Sequence, residues 1–294
     1  MVKQRDVKYF KRKDGTTIRY AVHNAEKAER FLVFINGRTE WIEKYPLIPE
    51  WLGLTDECGF LSWDHRGQGA SGGARAYIDC YSTFADDARV ILEKVCGERP
   101  YNIIAHSMGA LITLYGALAG KISPESIVLS SPLFLLPDKP LPRWFARPVA
   151  HVFSTIGLGR VGTGAGNHDT SSFDGNKLTH DRSTYEKIMK TPYPVPSATY
   201  GWVDATFRAT DYVFSRKNLA RLSCPTMVLT GGDERVVDVA GKYQWCELVS
   251  QLKPDLQLKT LTIPGARHEL FSESDEYRDS ALADIKAFLN EARK

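Results

Sequence analysis

Apolar positions along this chain gather in short, separated runs, and the stretches between them carry helical spacing or turn residues. The runs at 31–35, 59–62, 101–105, 126–129, 225–230 and 256–264 are brief and bounded by glycine, proline or polar residues, which reads as buried strand. Residues 84–95 place Phe84, Ala88, Ile91, Leu92 and Val95 on one helical face, and 110–119 and 275–293 also have helical character. At the start, runs at 7–10 and 17–22 flank Lys13-Asp14-Gly15, a hairpin signal. Strands alternating with helices predict an α/β fold: a mainly parallel, doubly wound sheet with helices on both faces. Ligands of such sheets bind beyond the carboxyl ends of the strands.

The segment 133–223 breaks this rhythm. It is rich in proline, glycine and aromatic residues: Pro137, Pro140, Pro142, Trp144, Phe145, Pro148 and Phe153, then a glycine-rich stretch at 157–166. We expect it to be a cap inserted into the core, so that 1–132 and 224–294 form the sheet domain and 133–223 folds over its carboxyl edge. The first part of the cap mixes apolar residues with Lys139, Arg143 and Arg147. Two readings stand level there. One is a membrane-facing lip with aromatics at headgroup depth and Arg143 and Arg147 toward lipid phosphate. The other is a cap helix whose apolar face lines an acyl pocket.

Candidate chemistry centres on the run 101–110, where an apolar strand ends in Ala105-His106-Ser107-Met108-Gly109 and a helical segment follows. Strand, sharp turn and helix with a serine at the apex is the context of a nucleophile elbow, and small residues at 105 and 109 suit its tight packing. A serine hydroxyl needs a base, and the base needs an orienting acid. Of the seven histidines, His268 has the best setting, on the loop leaving the run 256–264. His106 neighbours the serine, but adjacent strand residues point oppositely, so it reads as structural. His180, in a polar mid-chain segment, is the rival. The acid belongs on the loop after 225–230, where Gly231-Gly232-Asp233-Glu234-Arg235-Val236-Val237-Asp238 offers three carboxylates. Glu234 is favoured, four residues before Asp238, with Asp233 and Asp238 as alternatives.

Acyl transfer also needs donors for a developing oxyanion. The backbone N–H of Met108 is one. The other is expected from the loop after 31–35, Asn36-Gly37-Arg38-Thr39-Glu40, at the N–H of Arg38, with Gly37 letting the backbone turn toward the site. A further loop, Asp64-His65-Arg66-Gly67-Gln68-Gly69-Ala70-Ser71, lacks the Lys-Ser/Thr of a phosphate loop, and its Asp and Arg are expected to tie neighbouring loops together.

Composition narrows the class. The chain has 294 residues, 43% of them apolar, enough for a substantial core, and a net charge of +3 gives no argument for nucleic acid. Five scattered cysteines lack metal-ligand spacing and fit a reducing cytoplasm. The first residues show no apolar stretch of signal-peptide length, and no segment approaches the roughly eighteen apolar residues of a membrane span. No metal or organic cofactor is called for. The sequence assigns no oligomeric state.

Taken together, Asn36-Gly37-Arg38-x-Glu40, Asp64-His65-Arg66-Gly67-Gln68-Gly69-x-Ser71, Ala105-His106-Ser107-Met108-Gly109, Glu234-Arg235-Val236-Val237-Asp238 and Gly265-Ala266-x-His268-Glu269 resemble, in order, the α/β-hydrolases, and more narrowly the bacterial lysophospholipases and monoacylglycerol lipases. Asn176-x-Leu178-Thr179-His180 also resembles a lysophospholipase segment. The departures are Ala105 for glycine and Glu234 for aspartate. The resemblance implies hydrolysis of a small-molecule acyl ester, a monoacylated lipid, by a serine hydrolase; peripheral contact with the inner membrane face through the cap belongs to the first of the two readings of that segment. Alternatives on the same fold are a broad carboxylesterase, an amidase or aminopeptidase, and a non-catalytic ligand receptor.

Overall fold

The computed structural model describes residues 6–54, 58–139, 141–164 and 172–292. Eight strands form one sheet: β1 (Asp6–Lys11), β2 (Thr17–His23), β3 (Phe31–Ile35), β4 (Gly59–Trp63), β5 (Tyr101–His106), β6 (Ser126–Ser130), β7 (Thr226–Gly231) and β8 (Leu258–Ile263). Their order is β1-β2-β4-β3-β5-β6-β7-β8. The β1–β2 and β2–β4 pairs are antiparallel, and every later neighbour is parallel.

The two-residue period of the strands builds two cores. Phe31, Val33 and Ile35 of β3 enter one and Leu32 and Phe34 the other; Ile103 and Ile104 of β5, and Leu129 and Val128 of β6, divide the same way. The first core is closed by α2 (Tyr81–Val95) through Phe84, Ala88 and Ile91, by α3 (Met108–Leu118) and by α8 (Ala240–Leu252) through Trp245 and Val249. The second is closed by α1 (Ile48–Leu52) and by α9 (Asp275–Glu291) through Ala281, Ile285 and Phe288. The helix α3 is apolar nearly all round and buried along almost its whole length, as expected for a helix wedged between the sheet and another layer.

That outer layer comes from the residues between β6 and β7. They hold α4 (Arg143–Phe153), a π-turn at Ser154–Leu158, α5 (Arg182–Met189), α6 (Tyr200–Phe214) and α7 (Arg216–Leu219), and their described part adds no strand to the sheet. The helix α6 packs on the core through Trp202, Ala205 and Ala209, and α4 lies outside it with only Ala150 buried. Thr199 caps α6, its Oγ1 accepting from Trp202 N (3.2 Å). Pro140, the end of the glycine-rich stretch at 165–166, and His168 lie outside the described residues. Among the described residues no helix is long and apolar enough to cross a membrane.

Candidate active site

Ser107 occupies the turn between β5 and α3 with φ 51° and ψ −114°. A non-glycine residue at positive φ is held there only by its surroundings. Ser107 N donates to Ser130 O (2.9 Å), and Ser107 O accepts from Leu133 N and Ala110 N (both 3.1 Å). The turn also needs room for α3 to start against β3. A Cβ on Gly109 would lie 2.3 Å from Ile35 O and 2.5 Å from Asn36 O, so only glycine fits. Ala105 is buried in the first core.

Two later loops bring a histidine and a carboxylate together. His268, after β8, has Nδ1 2.7 Å from Glu234 Oε2. The other oxygen of Glu234 accepts from Val236 N (2.7 Å) and Val237 N (3.2 Å), so the loop after β7 fixes the carboxylate by its own backbone. A proton on Nδ1 donated to Glu234 leaves the lone pair on Nε2. Burial opposes charge on both partners. Against it, Glu234 raises the imidazole above its ordinary value, and His268 with the two N–H groups holds the Glu234 carboxyl below its own. Asp233 instead pairs with Arg235 (2.7 Å) and lies 3.8 Å from Arg267. Asp238 pairs with Arg143 (2.9 Å) and accepts from Ala240 N. Of the three carboxylates in the loop, Glu234 is the one at the imidazole.

Ser107 and His268 line one cavity of about 120 Å³, whose other walls include Arg38, Leu133, Leu136, Trp202 and Val236. The β3 loop reaches it in a way the sequence did not indicate. Positive φ falls on Thr39 (69°), whose N–H donates to Gln68 Oε1 (2.5 Å). Gly37 packs tightly, since a Cβ there would meet Glu40 Oε2 at 3.0 Å and His106 Cδ2 at 3.1 Å. The Arg38 side chain turns to the outer layer, donating to Pro196 O (2.9 Å) and lying over the Trp202 ring (5.0 Å). Met108 opens α3, where first-turn N–H groups have no acceptor within the helix, and its Sδ accepts from Trp202 Nε1 (3.4 Å).

The Asp64 loop ties its neighbours together. Asp64 accepts from Ile42 N (2.9 Å) and Ala70 N (2.8 Å), and Arg66 bridges Asp87 (2.6 Å) and Asp14 (2.8 Å). His180 does not line the cavity. Its Nδ1 faces Glu273 Oε1 (2.9 Å), a buried carboxylate that also accepts from His180 N (2.8 Å) and Arg267 N (2.7 Å). Because His268 N donates to Lys177 O (3.4 Å) and Glu269 N to Leu178 O (3.0 Å), the segment 176–181 clasps the histidine loop. Arg143 and Arg147 also stand away from the cavity, each on a carboxylate, Asp238 and Asp211.

Sequence reasoning missed a buried polar cluster under the site. Lys44 Nζ donates to Glu40 Oε1 (2.8 Å) and Glu269 Oε1 (2.6 Å), and Tyr45 OH reaches both carboxylates (2.6 Å each). His106 belongs to it, with Nε2 3.6 Å from Glu40 and its ring centroid 4.8 Å from that of His268. Strand alternation fails to remove His106 from the site because the strand ends there and the chain reverses at Ser107. Glu40, His106 and Glu269 converge as metal ligands would, yet the Lys44 ammonium already sits between the two carboxylates.

A doubly wound sheet with a serine at a strained strand-to-helix turn, and a histidine and carboxylate on the loops after its last two strands, defines an α/β-hydrolase. Solved structures agree on the fold. A soluble variant of monoglyceride lipase from Saccharomyces cerevisiae, in complex with a substrate analogue, matches with a TM-score of 0.77 at 20% identity over 99% of this chain and 97% of that one. A carboxyl esterase from Bacillus coagulans matches at 0.75 and 17% over 98% of each. The chain belongs to the hydrolase family described as serine aminopeptidase, S33, whose profile matches residues 26–275. It is similar to lysophospholipase L2 of Escherichia coli strain K12, at 28% identity over 98% of this chain and 88% of that protein. It is also similar to monoglyceride lipase of Rattus norvegicus, at 25% over 98% and 92%.

Proposed function

We propose that this chain is a serine hydrolase that cleaves the carboxylic ester of a monoacylated lipid, a lysophospholipid or a monoacylglycerol, through an acyl-enzyme. The observation that carries the proposal is the alignment of Glu234, His268 and a cavity shared by His268 and Ser107. His268 takes the Ser107 proton as the hydroxyl attacks the ester carbonyl. The N–H groups of Arg38 and Met108 receive the oxyanion, and Glu234 steadies the imidazolium. His268 then protonates the leaving alcohol and later activates water to release the fatty acid. The names of the curated relatives, lysophospholipase and monoglyceride lipase, support this substrate class.

Leu133, Leu136, Pro137, Trp202, Val236 and Val237 give the cavity apolar walls suited to an acyl chain. Its volume is well below the roughly 300 Å³ where ligand pockets of ordinary size begin. We therefore assign it the carbonyl and the first carbons, and assign residues 133–223 the role of a cap that shifts to admit the rest. The outer face of that segment exposes Trp144 (77%), Phe145, Val152 and Ile156, which supports peripheral membrane contact through apolar side chains. Arg143 and Arg147 stand on the same segment, each paired with a carboxylate that a lipid phosphate would have to displace, Asp238 and Asp211. Five free cysteines support residence in a reducing cytoplasm.

The family's description makes an aminopeptidase the second reading. Two carboxylates, Glu40 and Glu269, do line the cavity, but Lys44 and Tyr45 hold both, leaving neither dedicated to a substrate amine. The test is a panel of monoacylglycerols and lysophospholipids of equal acyl length, a short ester and an amino-acyl amide, with Ser107→Ala as the blank. Turnover of the long-chain lipids, abolished in Ser107→Ala, is expected. Turnover confined to the short ester indicates a general esterase, and turnover confined to the amide replaces the proposal with the peptidase reading.

A further inference from the structure

The mechanism above uses neither Glu40, Lys44 nor Glu269, yet all three are almost wholly out of solvent, with side chains 3%, 5% and 4% exposed. Ion pairs that deep are costly to assemble, and one unmatched charge among them costs more. Here two carboxylates share one ammonium, so the cluster carries a net charge of −1 when all three are ionised. Tyr45 adds no further negative charge, because burial beside these carboxylates keeps its phenol protonated and neutral. His106 does not supply the missing positive charge, since burial pushes its imidazole toward the neutral form despite Glu40. The group in ring contact with this cluster that gains positive charge in the proposed mechanism is His268, whose ring lies against that of His106 and whose chain neighbour is Glu269.

We propose that Glu40, Lys44 and Glu269 form an electrostatic platform under His268, a set of positioning residues that favours the imidazolium in the transition state. The charged and titratable groups that face His268 are Glu234 from the loop after β7, His106 from β5, the Glu40–Lys44 pair from the segment after β3, and Glu269 on its own loop. Burial opposes charging of the ring. Glu234 then outweighs the other carboxylates in raising it, with Glu269 and Glu40 following in the same direction. Lys44 stays protonated because the two carboxylates overcome its burial, and it holds Glu269 ionised in turn. The platform is thus a negative charge kept in place by a lysine, close to where positive charge appears during proton transfer.

This inference rests on His268 being the general base, and its test separates the two. In the full-length protein, kcat/KM for a short uncharged ester is followed against pH in wild type, Glu269→Gln and Lys44→Arg, with thermal melts to confirm folding. In parallel, the His268 imidazole is titrated by NMR in a Ser107→Ala background with and without Glu269→Gln. Removing the Glu269 charge is expected to move the acid limb, and the NMR titration, down by about one pH unit, the low end of the effect of a nearby opposite charge. Lys44→Arg, which keeps the charge and alters the shape, is expected to leave the limb in place. A folded Glu269→Gln protein with both titrations unmoved overturns the platform while leaving the hydrolase reading standing. Retained turnover in His268→Ala removes the base assignment and the platform with it.

Discussion

Replacing Glu234 with glutamine is the sharpest probe of the site. The substitution is nearly isosteric, and the amide oxygen can still accept from Val236 N and Val237 N. What changes is the group facing His268 Nδ1 at 2.7 Å: a carboxylate becomes either a neutral acceptor or an NH2 that forces the wrong tautomer. Opposite charges at about 4 Å, in an effective dielectric of about 20, interact by about 4 kcal/mol. With about 1.4 kcal/mol per decade of rate, loss of that term at the imidazolium transition state lowers kcat/KM about 10³-fold. The assay is kcat/KM for a short ester at the pH plateau, alongside Asp233→Asn and Asp238→Asn. Those two side chains hold Arg235 and Arg143 in partly exposed pairs, worth about 0–1 kcal/mol, so each variant is expected to stay within about tenfold of wild type. The pair also has a pH signature. The depressed Glu234 carboxyl contributes stability that is lost as pH falls through its folded value, and the raised His268 imidazole contributes stability lost as pH rises through its own. The melting difference between wild type and Glu234→Gln is therefore greatest between those two values. A Glu234→Gln enzyme within tenfold of wild type, or a larger loss in Asp238→Asn, refutes the reasoning.

Three further outcomes are expected. Gly109→Ala forces a Cβ to 2.3 Å from Ile35 O and should cost about 3 kcal/mol or more in urea unfolding, whereas Gly175→Ala, whose Cβ meets nothing closer than 3.9 Å, should be near neutral. Trp144→Ala should weaken binding to neutral phosphatidylcholine vesicles about tenfold, since part of an indole's area no longer enters the interface. Arg147→Ala, whose charge Asp211 already matches, should leave that binding unchanged. Glu273→Gln should speed hydrogen exchange in residues 266–274 and lower kcat about tenfold with little change in KM, because Glu273 joins the clasp to the histidine loop; a change in KM alone argues against that role.

The strands and the serine turn were legible because each is a local pattern: period-two burial, and small residues flanking an apex serine. The carboxylate was not legible to a single residue. Asp233, Glu234 and Asp238 differ only in where the folded loop points them, and the N–H groups of Val236 and Val237 orient Glu234. The helix α8 escaped notice because its inward face carries Lys242, buried with its ammonium on Thr230 Oγ1 (2.8 Å), Thr262 Oγ1 (2.8 Å) and Leu261 O (2.5 Å), which spoils the apolar stripe. The helix α4 is masked by Pro148 in its interior and by apolar residues that face outward. The cluster under the site joins positions over 200 residues apart, Lys44 and Glu269, through polar side chains whose burial no periodicity announces.

The strained and buried polar features of the site share a location, and that is informative. A chain that folds well agrees with itself at every level, and departures persist where function needs them. Here a serine at positive φ, a lysine between two buried carboxylates, and a histidine bonded to a third all gather at the carboxyl ends of β3, β5, β7 and β8. Trp144, open to solvent, stands on the layer above. Each costs stability on its own, by strain, desolvation or exposed apolar area. The first three become useful together only if a proton leaves Ser107 and positive charge appears on His268. Trp144 suits the proposed contact with an apolar phase. A binding protein on the same fold would gain nothing from the proposed platform, since the imidazolium it favours is reached during turnover. The proposed platform and the exposed apolar surface of the outer layer both fit an enzyme that works on lipid esters.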